Sequence, residues 1–193
     1  MNDKKPIAAG KSSFNLVNHK KLFKELEIDS SDILLDLGCG EGKYSLAISE
    51  FFNGDGTIYA VDLWKDGIES LKSVISEKGI NNIYPVIADI STHIPLDNMG
   101  VDICLIVTVL HDLVRDKTYQ GTLQELTRIL KPGGKLAIVE FKKIYGPPGP
   151  PIGIRLSPED VEELLRRYSF RHSKTVDVGT YHFLSIFLMK SQE

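Results

Sequence analysis

Cysteine is scarce in this 193-residue chain, with Cys39 and Cys104 its only two. Neither has a neighbour at metal-ligand spacing, and no other cluster of ligating side chains forms a metal constellation. Cys104 falls in a predicted buried strand and reads as core packing. Cys39 reads as a small residue tolerated in a turn, with a reactive thiol at either position as the alternative. Long apolar runs are missing too: no stretch reaches 18 residues, so none reads as a membrane span. The opening MNDKKPIAAGKSSF carries charge but no apolar stretch of the kind a signal peptide needs, and a cytoplasmic protein is expected. Charge of neither sign dominates. The net charge is −3, and no basic stripe exists to neutralise several phosphates, which argues against a nucleic-acid partner. The short run His19-Lys20-Lys21 reads as the wet face of a helix. Internal repeats and low-complexity arrays are likewise absent. What is present is 42% hydrophobic residues in a length suited to one globular domain, residues 1–193.

Strands and helices alternate along the chain. Strands are expected at Ile33–Asp36, Thr57–Val61, Ile83–Ile87, Val101–Val107 and Lys135–Phe141. Helices are expected at Asn15–Glu27, Tyr44–Phe52, Asp66–Glu77 and Lys117–Leu130, and the alternation implies a parallel sheet. A last helix is signalled by Ser157 as cap, Pro158 in the first turn and Asp160 in capping-box position. An antiparallel pair, Ser173–Val178 and His182–Met189, follows around Gly179-Thr180. Between the fifth strand and the last helix, residues 145–153 hold four prolines and three glycines. They read either as a stiff connector or as a substrate-side wall at the carboxyl edge of the sheet. This stretch and Ala8–Phe14 lack apolar periodicity and are expected to be moving covers of a pocket.

The most informative segment is Ile-Leu-Leu-Asp-Leu-Gly-Cys-Gly-Glu-Gly at 33–42: a buried strand reaches Asp36 and breaks into Gly38, Gly40 and Gly42 before a helix. Such a turn lets main chain approach a ligand where a Cβ would collide. The next strand ends in Asp62, 20 residues after Gly42, where a carboxylate would accept both hydroxyls of a ribose. A dinucleotide fold wants its third glycine one residue later, where Lys43 stands. Asp36 would repel a pyrophosphate but welcome an ammonium group. A ligand with a ribose at one end and an amino acid at the other suits both carboxylates, as S-adenosylmethionine does.

On these residues the chain resembles the class I S-adenosylmethionine-dependent methyltransferases. Asp36-Leu37-Gly38-Cys39-Gly40-Glu41-Gly42 is similar to the family's first motif, Val61-Asp62-Leu63 to its acidic ribose motif, and Ala88-Asp89-Ile90 to its third. VDICLIVTVLHDL at 101–113 and LKPGGKLAIVE at 130–140 are similar to the fourth-strand and fifth-strand motifs. Within the family the likeness is to quinone- and arsenite-methylating enzymes, although two cysteines do not supply the set that holds arsenic. There is no Asn-Pro-Pro-Tyr-type segment of the nucleic-acid amino-methyltransferases. The resemblance implies a Rossmann-like doubly wound α/β sheet of order 3-2-1-4-5-7-6 with strand 7 antiparallel and an N-terminal helix. It also implies S-adenosyl-L-methionine as cofactor, S-adenosyl-L-homocysteine as product and a small-molecule methyl acceptor. An N-terminal lid and helix (1–30), a cofactor-binding core (31–141) and an acceptor-side remainder (142–193) follow from it. An NAD-linked oxidoreductase and a non-catalytic S-adenosylmethionine-binding module are the alternatives.

Site roles follow from the same likeness. Asp36 should take the methionine ammonium, with Gly38, Cys39, Gly40 and Gly42 shaping the methionyl pocket. Asp62 should take the ribose, and Leu63 and Trp64 should flank the adenine. Asp89 and Ile90 should meet the adenine amino group, while Thr108 and Val109 border the methionine. Each has a plainer alternative: Asp36 ordering its turn, Trp64 a half-buried surface aromatic, Asp89 capping the turn after it. His111, with Asp112 to orient it, is the candidate catalytic base. Tyr44, Tyr145, Tyr181 and His182 are further pocket candidates.

Overall fold

The computed structural model describes residues 9–191, and Ala8 of the expected N-terminal cover lies outside them. Seven strands form one sheet: β1 (Ile33–Leu37), β2 (Thr57–Asp62), β3 (Ile83–Ile87), β4 (Val101–Val107), β5 (Leu130–Phe141), β6 (Phe170–Asp177) and β7 (His182–Met189). Their order is β3-β2-β1-β4-β5-β7-β6. The first five pair in parallel, and β7 runs antiparallel to both β5 and β6. The near-continuous apolar strands β1 and β4 are what a sheet buried on both faces requires.

Alternate strand residues serve two separate cores. Leu34, Ile103, Leu105, Ala137 and Val139 pack beneath α1 (His19–Leu26), α2 (Lys43–Phe51) and α3 (Lys65–Lys78). Leu35, Leu37, Cys104, Ile106 and Ile138 pack beneath α4 (Leu110–Arg115), α5 (Tyr119–Ile129) and α6 (Pro158–Leu165). The period-2 alternation of side chains therefore separates the two helical layers.

Three boundaries depart from the sequence expectation by three residues or more. α1 begins at His19, because the Asn18 side chain caps it by accepting from the Lys21 N–H at 3.0 Å, and residues 14–16 make a separate 3-10 turn. β5 starts at Leu130 rather than Lys135: Leu130 pairs with Val101, and the ladder shifts register before Ile103. β6 starts at Phe170, earlier than Ser173. The six-residue α4 was not expected at all. The capping box of α6 is present, with Asp160 accepting from the Ser157 N–H at 2.7 Å and Ser157 from the Asp160 N–H at 3.2 Å.

The edge strand β3 carries its own protection. Asn82 accepts from the Ile58 N–H and Ala88 donates to Asp62, so the even positions of β3 face β2. Pro85 then sits at an outward position, where its missing N–H blunts the open edge against further pairing.

Candidate functional site

From β1 the chain winds outward to β2 and β3, then returns to lay β4 on the other side of β1. The carboxyl ends of β1 and β4 thus form the topological switch point, where open α/β sheets hold ligands. The glycine turn leaves β1 there, and Thr108 and Val109 leave β4.

The three glycines do different work. A Cβ on Gly38 would lie 2.7 Å from Val109 Cγ2, and one on Gly42 would lie 2.5 Å from Leu71 Cδ2, so both are needed for packing of the turn. Gly40, at φ +57°, has nothing within 4 Å of such a Cβ, which would project into open space. Gly67 was missed by the sequence reading. Its Cβ would meet the Trp64 ring at 2.5 Å and the Gly40 carbonyl oxygen at 2.8 Å, so the start of α3 closes on the turn only through this glycine. A glycine just inside a helix, three residues past the aromatic, was the available signal.

Two carboxylates stand beside the turn. Asp36 is 2% exposed, and its Oδ2 accepts from the Ser45 hydroxyl at 2.6 Å and the Ser45 N–H at 3.1 Å. Burial pushes its pKa up to about 6, against the opposing Ser45 bonds. Asp62 accepts from the Gly40 N–H at 2.8 Å and from the Trp64 N–H at 2.7 Å, one bond to each oxygen. It ties the first turn to the second. Burial, then the charges of Asp36 and Asp62, push the Cys39 thiol far up, which leaves it an inert small residue.

Asp36, Gly38, Cys39, Gly40, Trp64 and Thr108 line one cavity of about 50 Å³. Gly42 lies behind it as the cap of α2, and Val109 behind it as the support of Gly38. Leu63 is exposed, Ile90 is buried in the core, and Asp89 accepts from the Ser91 N–H and hydroxyl, capping its own turn. The cavity's other wall is the chain itself: Gly10, Lys11, Ser12 and Ser13 lie across it. The buried Ser13 hydroxyl stands 3.4 Å from both the Tyr44 hydroxyl and the Thr108 hydroxyl. Tyr44 is thus brought in, and Phe14 stacks on the His19 ring while both meet the Tyr44 ring edge to face.

A second cavity, of about 520 Å³, abuts the first and shares Lys11, Ser12, Ser13 and Thr108 with it. Its remaining walls are apolar at Leu16, Phe141 and Pro148–Pro151, and polar at His111, Asp112 and Arg115. Thr108, at the junction, holds φ +53°, a conformation that is costly for a β-branched residue and that clusters at functional sites.

His111 is almost fully buried, and the carboxylate within hydrogen-bond distance of its ring is that of Glu140 rather than Asp112. Glu140, fully buried at the end of β5, reaches His111 Nδ1 at 2.7 Å with one oxygen and accepts from the His111 N–H at 3.1 Å with the other. Asp112 stands 3.7 Å from Nε2 and is engaged by Arg115 at 2.6 Å. Burial alone would lower the His111 pKa. The Glu140 hydrogen bond and charge, then Asp112, outweigh it and raise the value above that of an ordinary histidine, with Arg115 opposing. A charged residue inside the apolar run LAIVE was the signal for Glu140. His182 is the contrasting case: it lies buried against Phe141, and burial with the Lys142 and Arg155 charges pushes its pKa down to about 4. Tyr145 is 92% exposed at a loop tip, and Tyr181 lines neither cavity.

The methyltransferase-domain family model matches residues 34–134, more than half of the chain. The chain belongs to that family. Among similar proteins, a demethylmenaquinone methyltransferase of Staphylococcus saprophyticus is 30% identical over 134 residues, covering 65% of this chain and 55% of the relative. A 2-phytyl-1,4-naphtoquinone methyltransferase of Nostoc punctiforme is 30% identical over 138 residues, covering 66% and 56%. The chain thus spans about half the length of the relatives it matches. A crystal structure of a SAM-dependent methyltransferase from Aquifex aeolicus superposes with a TM-score of 0.82 at 27% identity, covering 93% of each chain.

The Aquifex aeolicus neighbour is described as dependent on S-adenosylmethionine, and the residues at the switch point of this chain fit that group. Gly40 opens a cradle that a side chain would fill. Asp36 is a buried carboxylate beside the cavity with one oxygen committed to Ser45. Each Asp62 oxygen carries one backbone hydrogen bond and retains a second acceptor direction. Gly40→Ala is therefore expected to keep the fold, at a cost of about 1 kcal/mol for its left-handed backbone. It should weaken S-adenosylhomocysteine binding more than tenfold. Calorimetric titration of the folded variant checks this, and an unchanged dissociation constant would make the turn purely structural.

Proposed function

We propose that this chain is an S-adenosylmethionine-dependent methyltransferase acting on a small, largely apolar acceptor with an ionisable hydroxyl or carbon, of the quinol kind. One observation carries the reading: two cavities meet at Thr108, one beside the buried Asp36, the other walled by Phe141 and prolines and ending at His111. When bound, the cofactor supplies a methyl carbon on a sulfonium, open to in-line displacement by the acceptor. The protein's own task is then alignment and exclusion of water, which can be worth ~7–11 kcal/mol.

In this reading Asp36 holds the ammonium end, Asp62 the ribose, and Gly38, Cys39, Gly40 and Gly42 shape the methionyl pocket. Leu63, Trp64, Asp89 and Ile90 border the adenine, while Thr108 and Val109 flank the point of transfer. His111 takes the acceptor's proton. The segment from Gly10 to Ser13 narrows the first cavity to about 50 Å³, so it withdraws on cofactor entry and settles back as a cover. Residues 31–141 carry the cofactor site and part of the acceptor wall, at Thr108, His111, Asp112, Arg115 and Phe141, and 142–193 completes that wall at Pro148–Pro151. Support for the quinol class comes from the quinone-methylating activities that the similar proteins are named for and from the apolar proline wall.

The test is incubation with S-adenosylmethionine bearing a deuterated methyl group and chemically reduced 1,4-naphthoquinone, followed by mass spectrometry. A product carrying the deuterated methyl, formed together with S-adenosylhomocysteine, is expected. Methylation of a thiol probe in preference to the naphthohydroquinone would redirect the acceptor class.

A further inference from the structure

The Glu140 carboxylate is an expensive group to place where it is. It is fully buried at the end of the apolar run Leu136–Val139 of β5, and a charge so placed costs several kcal/mol unless it is paired. Its two oxygens reach the same residue by two routes: one accepts from the main-chain N–H of His111, the other meets the ring at Nδ1. The backbone bond serves the start of α4, and any neutral acceptor would supply it. The second bond has a different consequence. An ionised carboxylate can only accept, so the ring must donate from Nδ1, and the lone pair is left on Nε2. Nε2 stands on the side of Asp112, a residue that lines the 520 Å³ cavity.

We infer that Glu140 is the positioning residue of this site: it locks His111 in the Nδ1–H tautomer and turns Nε2 toward the acceptor as a base. The inference rests on the methyl-transfer reading above. A thiolate acceptor needs no such device, whereas a hydroxyl or carbon acid does, so the dyad narrows the acceptor to the latter classes. The acceptor's proton passes to Nε2 while the acceptor's electron pair bonds to the methyl carbon, the carbon–sulfur bond would break with its pair left on sulfur as S-adenosylhomocysteine, and the imidazolium formed is held by Glu140. His111 also borders a second opening, between α4 and α6, through which the proton can return to solvent. The charges around the ring are Glu140 from β5, Asp112 and Arg115 from α4, and Lys11 from the N-terminal segment. Across the second opening stand Lys143, Arg155, Asp160 and Glu163.

Glu140→Gln tests this with little change of shape. Its amide oxygen can still accept from the His111 N–H, but its NH2 must donate to Nδ1 and so drives the ring to the opposite tautomer. In protein labelled with 15N-histidine, with the His111 signals assigned from a His111→Gln spectrum, the natural chain should show protonated Nδ1 and bare Nε2 above the ring's titration. Glu140→Gln should reverse the two and lower the pKa of the ring. With reduced 1,4-naphthoquinone as acceptor, the plateau rate should fall at least about tenfold and its acidic limb should move to lower pH, with the KM for S-adenosylmethionine unchanged. Glu140→Asp should restore the natural tautomer in part. A natural chain with Nε2 protonated would overturn the inference, as would a Glu140→Gln variant with natural tautomer and rate. The natural chain's spectrum decides the matter even if the variant fails to fold. Failure of the natural chain to methylate the probe would count against the quinol reading, while the spectrum still decides the role of Glu140.

Discussion

Asp36→Asn is expected to be more stable than the natural chain at pH 8 without cofactor, and to lose most of its affinity for S-adenosylhomocysteine. Burial moves the Asp36 carboxyl from 3.8 to about 6, which corresponds to about 3 kcal/mol between the protonation states. The sign follows from proton counting. Below pH 3.8 both folded and unfolded chains hold the proton, and burial of Asp36 carries no charge penalty. Between 3.8 and 6 the folded chain keeps a proton that the unfolded chain has released, so stability falls as pH rises through this window. Above 6 the whole cost is present. Asparagine can still accept from the Ser45 hydroxyl and N–H and carries no charge, so the decline should vanish in the variant. Its melting temperature at pH 8 should rise by about 5 °C, taking 2–4 °C per kcal/mol and part of the full gain. The same ionised carboxylate that destabilises the empty fold is what an ammonium group would pair with. Losing that charged hydrogen bond should weaken S-adenosylhomocysteine binding by about 1.5–3 kcal/mol, tenfold to a hundredfold. In the natural chain affinity should likewise fall as pH drops below about 6. Thermal melts against pH and titration calorimetry check both halves. An Asp36→Asn variant that binds like the natural chain would remove Asp36 from the ammonium site.

That coupling explains which parts of the molecule could be read in advance. The alternation of strands and helices and the placement of Asp36, Asp62 and the glycines follow from local signals, apolar runs ending in an acid and turns that tolerate no Cβ, whereas the sheet order comes from the family resemblance alone. Those signals lie within a few residues of the groups they position. Glu140 and His111 are 29 residues apart and meet only because β4 and β5 are parallel neighbours. Asp112, adjacent in sequence, was therefore the expected partner, yet Arg115 at the next turn of α4 takes it. The expected N-terminal helix, Asn15–Glu27, missed its start for a similar reason. Propensity permits helix from Asn15, but the Phe14 ring is committed to His19 and Tyr44, and the Ser13 hydroxyl stands beside Tyr44 and Thr108. Tertiary contacts over the cavity override the local preference.

The proline-rich stretch is the largest case, and it rests on one side chain. Arg155, only 3% exposed, donates from Nε to Pro150, from Nη1 to Lys142 and Ile144, and from Nη2 to Gly146 and Pro148, at 2.8–3.1 Å. Every donor of the guanidinium is spent on carbonyls two residues apart, and the loop is wound around it. These bonds argue against the expected moving cover at 146–153 and for a wall, with Pro148–Pro151 lining the larger cavity. Nothing in the composition of 145–153 announces an arginine just beyond it as the organiser. Arg155→Met should therefore leave five carbonyls without their donor and cost about 3 kcal/mol or more of stability, even after water replaces part of the loss. Arg155→Lys should fare little better, since three donors on one nitrogen cannot span five acceptors. In hydrogen exchange, residues 142–151 should lose protection in both variants while the glycine turn keeps its own. Titration with S-adenosylhomocysteine should be unchanged, because Arg155 lines neither wall of the smaller cavity. A loop that stays protected in Arg155→Met would show that the prolines alone hold the wall, and the larger cavity would then owe its shape to backbone stiffness rather than to this buried charge.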